Sequence, residues 1–292
     1  MTTHPPEPKP RRKWHFYKWL VLLIVATSAY AAWNAYLFRS ALKEAKALGW
    51  DVTYTDPYAQ IRADWKAAFK KRTWLDGVRS MVVPTGKQLE QHHGVLQRLN
   101  PKWLHIHSAQ ALRNLSTLKG LTRLTFLEVG PAHSLTELDA LQNLTALERI
   151  EIHRAVALTN VDGLKNLLAV KTLFLTEAKK LTNVDALKNL SALELVCVDH
   201  STGLTNVDGL KNHKTLQTVS LRGCTGLTNV EGLKNLPALQ EIILEGCTGL
   251  TKESIEALRA TLPQRYVIIN GFRITPKPSQ PNTTTGARDT DR

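Results

Sequence analysis

The groups best suited to chemistry are three histidines and two glutamates that recur along the middle of the chain. Glu128 and Glu151 lie 23 and 46 residues after His105, and His153 lies 46 residues after His107. Imidazole and carboxylate groups bind divalent metals, and together they could serve a hydrolase as base and acid. The spacing matches no known metal signature, so we expect these side chains to pair locally, with no metal and no cofactor. A metal-binding or hydrolytic protein that uses this cluster remains the less favoured alternative.

Three cysteines supply the remaining reactive groups. Cys197, Asp199 and His200 are a nucleophile, an acid and a base in close succession. On a strand Cys197 and Asp199 would point the same way, whereas His200 would turn away, and no oxyanion hole is evident. We therefore expect no catalytic residue and no enzyme activity. Cys224 and Cys247 are 23 residues apart, and we expect two buried thiols, with a disulfide between them as the alternative.

A unit of 23 residues is repeated along most of the chain. Five copies align without gaps, and they begin at Leu135, Leu158, Leu181, Leu204 and Leu227. The pattern extends back to about residue 89 and forward to about residue 270, which makes about eight units. A period of this length is typical of units that bury their apolar faces only by stacking on their neighbours.

The apolar positions within a unit predict its shape. Residues 216–221 read LQTVSL, and this alternation predicts a short strand with one buried face. In another unit Leu158, Val161, Leu164 and Leu167 recur at every third position, which predicts 3₁₀ turns on the opposite side. Stacking such units predicts a parallel sheet with one strand from each unit.

These units resemble bacterial leucine-rich repeats (LRRs), including forms with Cys at the strand-end turn where many LRRs carry Asn. The resemblance covers residues 89–270. It implies an α/β fold, a solenoid with a curved parallel β-sheet on its concave face and short helical or 3₁₀ segments on its convex face. It also implies that the solenoid is used for protein recognition.

Side chains between the buried residues of each strand should face outward and line the concave sheet in columns. Aromatic and aliphatic residues stand there among charged ones, which is typical of an interface. We therefore predict a surface that binds a protein partner, with scattered exposed apolar groups as the alternative. Its predicted residues are Trp103, His105, His107, Phe126, Glu128, Arg149, Glu151, His153, Phe174, Leu195, Cys197 and Ile243.

The net charge of +13 is unevenly distributed. Residues 1–88 hold 15 basic and 6 acidic residues, whereas residues 89–272 hold 19 and 17. A nearly neutral repeat region argues against nucleic acid as a partner. Within it, an acidic column at Asp162, Asp185, Asp208 and Glu231 is followed three positions later by lysines, which predicts a neutralised outer face; a basic stripe for an anionic partner is the alternative. No small-molecule site is evident from the motifs, since a Gly-rich phosphate loop is missing.

The N-terminal region predicts a membrane anchor. Trp19 to Phe38 contains no charged residue and is long enough to cross the hydrocarbon core as a helix. Basic residues are concentrated in the preceding segment, residues 1–18, which predicts a cytoplasmic N-terminus and an exported repeat region. The predicted location is the cytoplasmic (inner) membrane, crossed once, with the repeats periplasmic or extracellular. Secretion after signal-peptide cleavage near Ala31 is the alternative.

The remaining segments complete the predicted domain organisation. Residues 39–88 form a helical spacer and N-terminal cap, in which Asp56–Lys71 reads as an amphipathic helix and Thr85–Leu99 as a second helix. The LRR domain spans residues 89–272, with a longer helix at Leu250–Leu262, and residues 273–292 form a disordered tail. The predicted function is a membrane-anchored LRR module for protein–protein interaction. A structural, self-associating envelope solenoid is the alternative.

Overall fold

The computed structural model describes residues 33, 36–54, 78–262, 266–269 and 272–274. Most of the predicted anchor at residues 19–38, the predicted helix at 56–71 and nearly all of the predicted tail lie outside the described residues. Residues 36–47 form the first described helix, α1. Among the described residues, no helix combines the length and the apolarity that a membrane crossing requires.

The described residues contain eleven strands, which form one sheet in which each strand lies beside the next one in sequence. Strands β2 to β10 run parallel, whereas β1 and β11 pair antiparallel with their neighbours at the two edges. The strands are β1 Asp51–Tyr54, β2 Val78–Val83, β3 Trp103–Ile106, β4 Phe126–Val129, β5 Arg149–Ile152, β6 Thr172–Leu175, β7 Leu195–Cys197, β8 Thr218–Ser220, β9 Glu241–Ile243, β10 Tyr266–Ile269 and β11 Phe272–Ile274.

The 23-residue period sets the register of the sheet. Trp103 pairs with Phe126 and Phe126 with Arg149, and the same offset continues as far as the pairing of β8 with β9. Equivalent residues of successive coils therefore stand side by side on parallel strands. The predicted solenoid of stacked coils with a parallel sheet is confirmed.

The core runs the length of the solenoid between the sheet and the return turns. Inward-facing strand residues such as Leu127 and Leu173 have no exposed surface, and neither do turn leucines such as Leu164. Each such leucine contributes about 1.5–3 kcal/mol through burial. The 3₁₀ segments on the return side are Ser116–Leu118, Asp139–Leu141, Asp162–Leu164, Asp185–Asn189, Asp208–Leu210 and Glu231–Leu233.

Polar side chains that recur in the repeat hold the turns. The Asn160 Oδ1 accepts a hydrogen bond from the Asp162 backbone N–H at 3.1 Å, and Asn183, Asn206 and Asn229 make the equivalent bond. The asparagine column therefore caps the 3₁₀ segments. The acidic column pairs with lysines three positions later, as predicted, at Asp162–Lys165, Asp208–Lys211 and Glu231–Lys234.

The cysteines at the strand-end turns are buried free thiols, as predicted. The Cys224 Sγ–H donates to the Val198 carbonyl at 3.1 Å, and the Cys247 Sγ–H donates to the Leu221 carbonyl at 2.9 Å. Burial raises the pKa of Cys224 to about 12 and that of Cys247 to about 11. Both groups therefore serve as small packing residues that satisfy a carbonyl of the preceding coil.

The two ends of the solenoid differ from the predicted caps. The predicted helical spacer and cap at residues 39–88 contains two strands, β1 and β2, in addition to α1. Met81 and Val83 of β2 are fully buried against the first coil, and this apolar alternation favours a strand. The single helix predicted at Thr85–Leu99 is two short helices, α2 Gly86–Gln91 and α3 His93–Leu99.

The far end is closed by a helix and a hairpin. Helix α4, Lys252–Ala260, lies within the predicted range, and the Thr251 hydroxyl caps it by accepting from the Ser254 N–H. The antiparallel pairing of β10 and β11 then completes the sheet. Residues 273 and 274 belong to β11, so the predicted disordered tail began too early in the chain.

Candidate functional site

The outward-facing side chains of the sheet lie in the predicted columns, on the face that we call concave because leucine-rich-repeat solenoids curve toward it. One column consists of the third residue of each strand from β3 to β6. Its members are His105, Glu128, Glu151 and Phe174, and each pairs with the next in the sheet register. Two residues earlier on each strand, a neighbouring column is formed by Trp103, Phe126, Arg149, Thr172 and Leu195. These columns define the concave face and allow its two ends to be compared.

Guanidinium groups contact aromatic rings on the N-terminal half of this face. The Arg79 Cζ lies 4.9 Å from the centroid of the Trp103 ring. The Arg149 Cζ lies 5.8 Å from the Phe126 centroid and 5.4 Å from the Phe174 centroid, so one guanidinium bridges two rings. Such cation–π contacts hold large side chains in fixed positions on an otherwise open surface. We call these five residues the aromatic row.

A depression of about 620 Å³ opens beside the aromatic row. Trp103 and Phe126 supply its apolar wall, and the His105 ring meets the Phe126 ring edge-on with centroids 5.1 Å apart. The remaining lining residues are Thr53, Ser80, Thr125, Glu148 and Arg149. A shallow cavity with an aromatic wall and a polar rim suits an inserted side chain of a partner.

Ion pairs fix the charged groups behind this depression. The His105 Nδ1 and the Glu128 Oε2 are 2.7 Å apart. Glu151 contacts the Arg149 guanidinium through Oε1, and its Oε2 lies 3.5 Å from the His153 Nε2. The structure thus brings together four of the five residues of the sequence-predicted His/Glu cluster.

In the C-terminal half of the face, small polar side chains pack around Asp199. The Asp199 Oδ1 accepts hydrogen bonds from the Ser220 hydroxyl at 2.6 Å and from the Arg222 backbone N–H at 2.9 Å. Ser220 and Cys197 are both buried. The prediction that Cys197 lies exposed on the binding surface was therefore wrong, because neighbouring side chains cover the small thiol.

The environment of Cys197 also opposes nucleophilic chemistry. Burial and the nearby Asp199 carboxylate raise the pKa of its thiol to about 11. His200 follows Asp199 with a positive φ of 57° and is exposed at the turn. A thiol with so high a pKa is protonated at neutral pH, whereas a thiolate is the attacking species.

The other predicted site residues lie on the same face but outside the aromatic row. His107 is exposed beyond the end of β3, while Leu195 on β7 and Ile243 on β9 are half-buried. Leu195 and Ile243 extend the apolar character of the sheet toward its C-terminal end without an aromatic partner. The predicted surface therefore divides into an aromatic N-terminal half and an aliphatic C-terminal half.

Some residues of the depression and of the aromatic row were missed because β1 and β2 were not predicted. Arg79 and Ser80 come from β2, and Thr53 comes from β1. A signal for β2 was present, since Met81 and Val83 lie 23 residues before Leu104 and Ile106. Extending the period by one further unit would have placed Ser80 beside Trp103, with Arg79 as the preceding residue of the strand.

Comparisons with known proteins bear on the fold and not on the site. No protein-family model matches the chain, and no curated protein matches it. Among solved structures, internalin C2 from Listeria monocytogenes superposes with a TM-score of 0.50 and 21% identity, over 68% of this chain and 84% of that chain. The chain has the leucine-rich-repeat fold. The LRR domain of the type III effector XopL aligns with a TM-score of 0.47 and 16% identity, over 92% of this chain and 98% of that domain.

Proposed function

We propose that this LRR protein is a binding module, and not an enzyme, whose N-terminal concave half holds a protein partner. The observation that carries the proposal is the aromatic row, in which Arg149 bridges Phe126 and Phe174 beside the 620 Å³ depression. Trp103 is 37% exposed, and it stands beside other aromatic side chains instead of alone. Its exposed ring offers the area that a partner would cover.

The composition of the row supports a protein ligand. Tryptophan and arginine are enriched among residues that dominate binding energy, and such residues cluster near the centre of an interface. Here cation–π contacts already hold Trp103 and Arg149, so less side-chain entropy is lost when a partner docks. The ion pairs around Glu128 and Glu151 supply a polar margin.

The proposal includes export and anchoring of the module. Its support comes from the uncharged segment at residues 19–38 and the basic residues that precede it. In this arrangement the segment crosses the cytoplasmic membrane, and the concave face is presented on the periplasmic or extracellular side. Protease protection in intact cells and in permeabilised cells tests the orientation, since the repeats should be digested only from the exported side.

Affinity capture with the full-length chain tests the binding function. A double variant, Trp103→Ala with Phe126→Asp, should lose a partner that the unchanged chain retains, with at least a hundredfold weaker binding. The matched control is Leu168→Asp, because Leu168 is 55% exposed but lies on the return side of its coil. The control should bind the partner normally, and circular dichroism should show that both variants are folded.

Two results would overturn the proposal. A partner that binds the double variant as well as the unchanged chain would not use the aromatic row. Concentration-dependent oligomers in light scattering, with no second protein captured, would instead support the self-associating solenoid.

A further inference from the structure

We propose that Glu128, Glu151 and His153 form a binding site for a divalent transition-metal ion of the Zn²⁺ class. One ligand atom from each residue lies within 4.8 Å of the other two. Glu128 and Glu151 are directly paired on adjacent strands, and His153 follows Glu151 by two residues. The sequence repeat places the two glutamates in one column and His153 in the next column. The side-chain conformations then bring the three ligand atoms together.

The donor set fits such an ion in type and in spacing. Carboxylate oxygens and imidazole nitrogens bind Zn²⁺ at about 2.0–2.2 Å, so two ligands of one ion are at most about 4 Å apart. Side chains separated by no more than 4.8 Å need only a small rotation to reach that distance. All three residues are half-buried, so an ion could reach them from solvent.

Neighbouring groups hold the ligands in position. The His105 ring, 2.7 Å from the Glu128 Oε2, can donate to that carboxylate and orient it, so we assign His105 a positioning role. Gly130 adjoins His153, and a Cβ at Gly130 would lie 2.9 Å from the His153 Cβ. The missing side chain at Gly130 therefore leaves room for the imidazole.

Arg149 competes with the ion. Its Nε contacts the Glu151 Oε1, which adds a positive charge near the site and engages one carboxylate oxygen. The other oxygen, Oε2, faces His153 and remains directed at the cluster. Because like charges repel, removal of the guanidinium should strengthen metal binding.

Three protein ligands leave at least one coordination position open toward the concave side. Structural zinc sites usually have four protein ligands, whereas three ligands plus solvent are typical of exchangeable sites. We therefore infer a reversible site, with solvent completing the coordination. This site does not depend on the proposed protein partner.

Titration of the full-length chain with Zn²⁺, followed by calorimetry, and with Co²⁺, followed by visible absorption, tests the site. Glu151→Gln and His153→Asn should each weaken Zn²⁺ binding at least tenfold and remove the Co²⁺ bands. Arg149→Gln should tighten Zn²⁺ binding at least threefold, although it should weaken any partner that uses the aromatic row. These opposite effects separate the metal site from the proposed function.

Matched controls exclude adventitious binding to surface groups. Glu245→Gln removes a carboxylate from the same face, paired with Arg222 at 3.2 Å, and His133→Asn removes an exposed histidine. Both controls should bind Zn²⁺ within twofold of the unchanged chain. The proposal fails if the unchanged chain shows no Zn²⁺ binding at micromolar concentrations, or if the site variants bind as well as the controls. Should either site variant prove unfolded by circular dichroism, Glu128→Gln provides the same test.

Discussion

The two halves of the concave face share one backbone but differ in what their outward side chains do. In the N-terminal half, Arg149 bridges Phe126 and Phe174 across an open depression. In the C-terminal half, Asp199 accepts hydrogen bonds from Ser220 and from the Arg222 backbone, and Cys197 and Ser220 are buried. A repeat therefore specifies the scaffold uniformly and leaves each strand free to carry a different surface.

The largest loss of stability is expected from truncating a core leucine. This loss should be the same in both halves, because the core does not differ between them. Leu127→Ala and Leu221→Ala each remove a fully buried leucine, one from each half. Each should lower the free energy of unfolding by about 2–5 kcal/mol. Chemical denaturation followed by circular dichroism measures both. A cost confined to one half would show that the halves differ in scaffold as well as in surface.

A buried histidine makes one C-terminal coil sensitive to acid. His213 is 4% exposed at the position where Leu190 and Leu236 stand in neighbouring coils, and its Nε2 has no hydrogen-bond partner among the described residues. Burial lowers the pKa of His213 below its ordinary value of 6.5. The stability that depends on neutral His213 is thus present above pH 6.5 and declines as the pH falls below it.

His213→Leu restores the apolar residue of the repeat and should stabilise the fold by about 1–3 kcal/mol. The gain should increase from pH 7 to pH 5, because the unfolded state of the unchanged chain takes up a proton there. Denaturation midpoints at several pH values measure the change, with Leu190→His as the converse variant. A gain that is independent of pH would mean that His213 is not the titrating group.

One substitution in the C-terminal half should make the Cys197 thiol more reactive. Asp199→Ala removes the acceptor of two hydrogen bonds and should cost about 1 kcal/mol of stability. It should also speed alkylation of Cys197 several-fold, because the nearby carboxylate helps raise the pKa of that thiol to about 11. Mass spectrometry after iodoacetamide treatment measures the rate, and Cys224 is the internal control. An unchanged Cys197 rate would show that burial by other groups protects the thiol.

The smallest change in stability is expected from the ion pairs on the outer face, which are similar in the two halves. The Lys211–Asp208 and Lys165–Asp162 pairs are exposed, with N···O distances of 3.1 and 3.0 Å. Lys211→Ala and Lys165→Ala should each change the free energy of unfolding by less than about 0.5 kcal/mol. Denaturation at low and at high salt measures this contribution. A larger loss would mean that the outer lysines do more than neutralise neighbouring charges.

The scaffold was predictable from the sequence because leucine spacing reports burial directly. A fixed offset of 23 residues placed Trp103 beside Phe126 and Phe126 beside Arg149, and the sheet has this register. The edges were less predictable, since β1 and β11 pair antiparallel and follow no repeat. No local sequence pattern predicts such edge strands, because their pairing depends on tertiary contacts.

The candidate site was only partly predictable, since a column assignment gives the side of the sheet but not the exposure. Cys197 stands in an outward column and is nonetheless buried, because Asp199 and Ser220 pack around it. Likewise, the bridging position of Arg149 depends on its side-chain conformation, which the repeat pattern does not encode. Side-chain pairing across strands therefore required the folded structure.

Site-specific photo-crosslinking in cells that express the full-length chain tests the central claim most directly. A photoreactive residue at position 103 stands in the aromatic row, one at position 243 stands in the C-terminal half, and one at position 168 replaces an exposed leucine on the return side. We predict a strong crosslink to another protein from position 103, a weaker one from 243 and none from 168. Equal crosslinking from all three positions, or crosslinking from 168 alone, would contradict the assignment of the binding surface to the N-terminal half of the concave face.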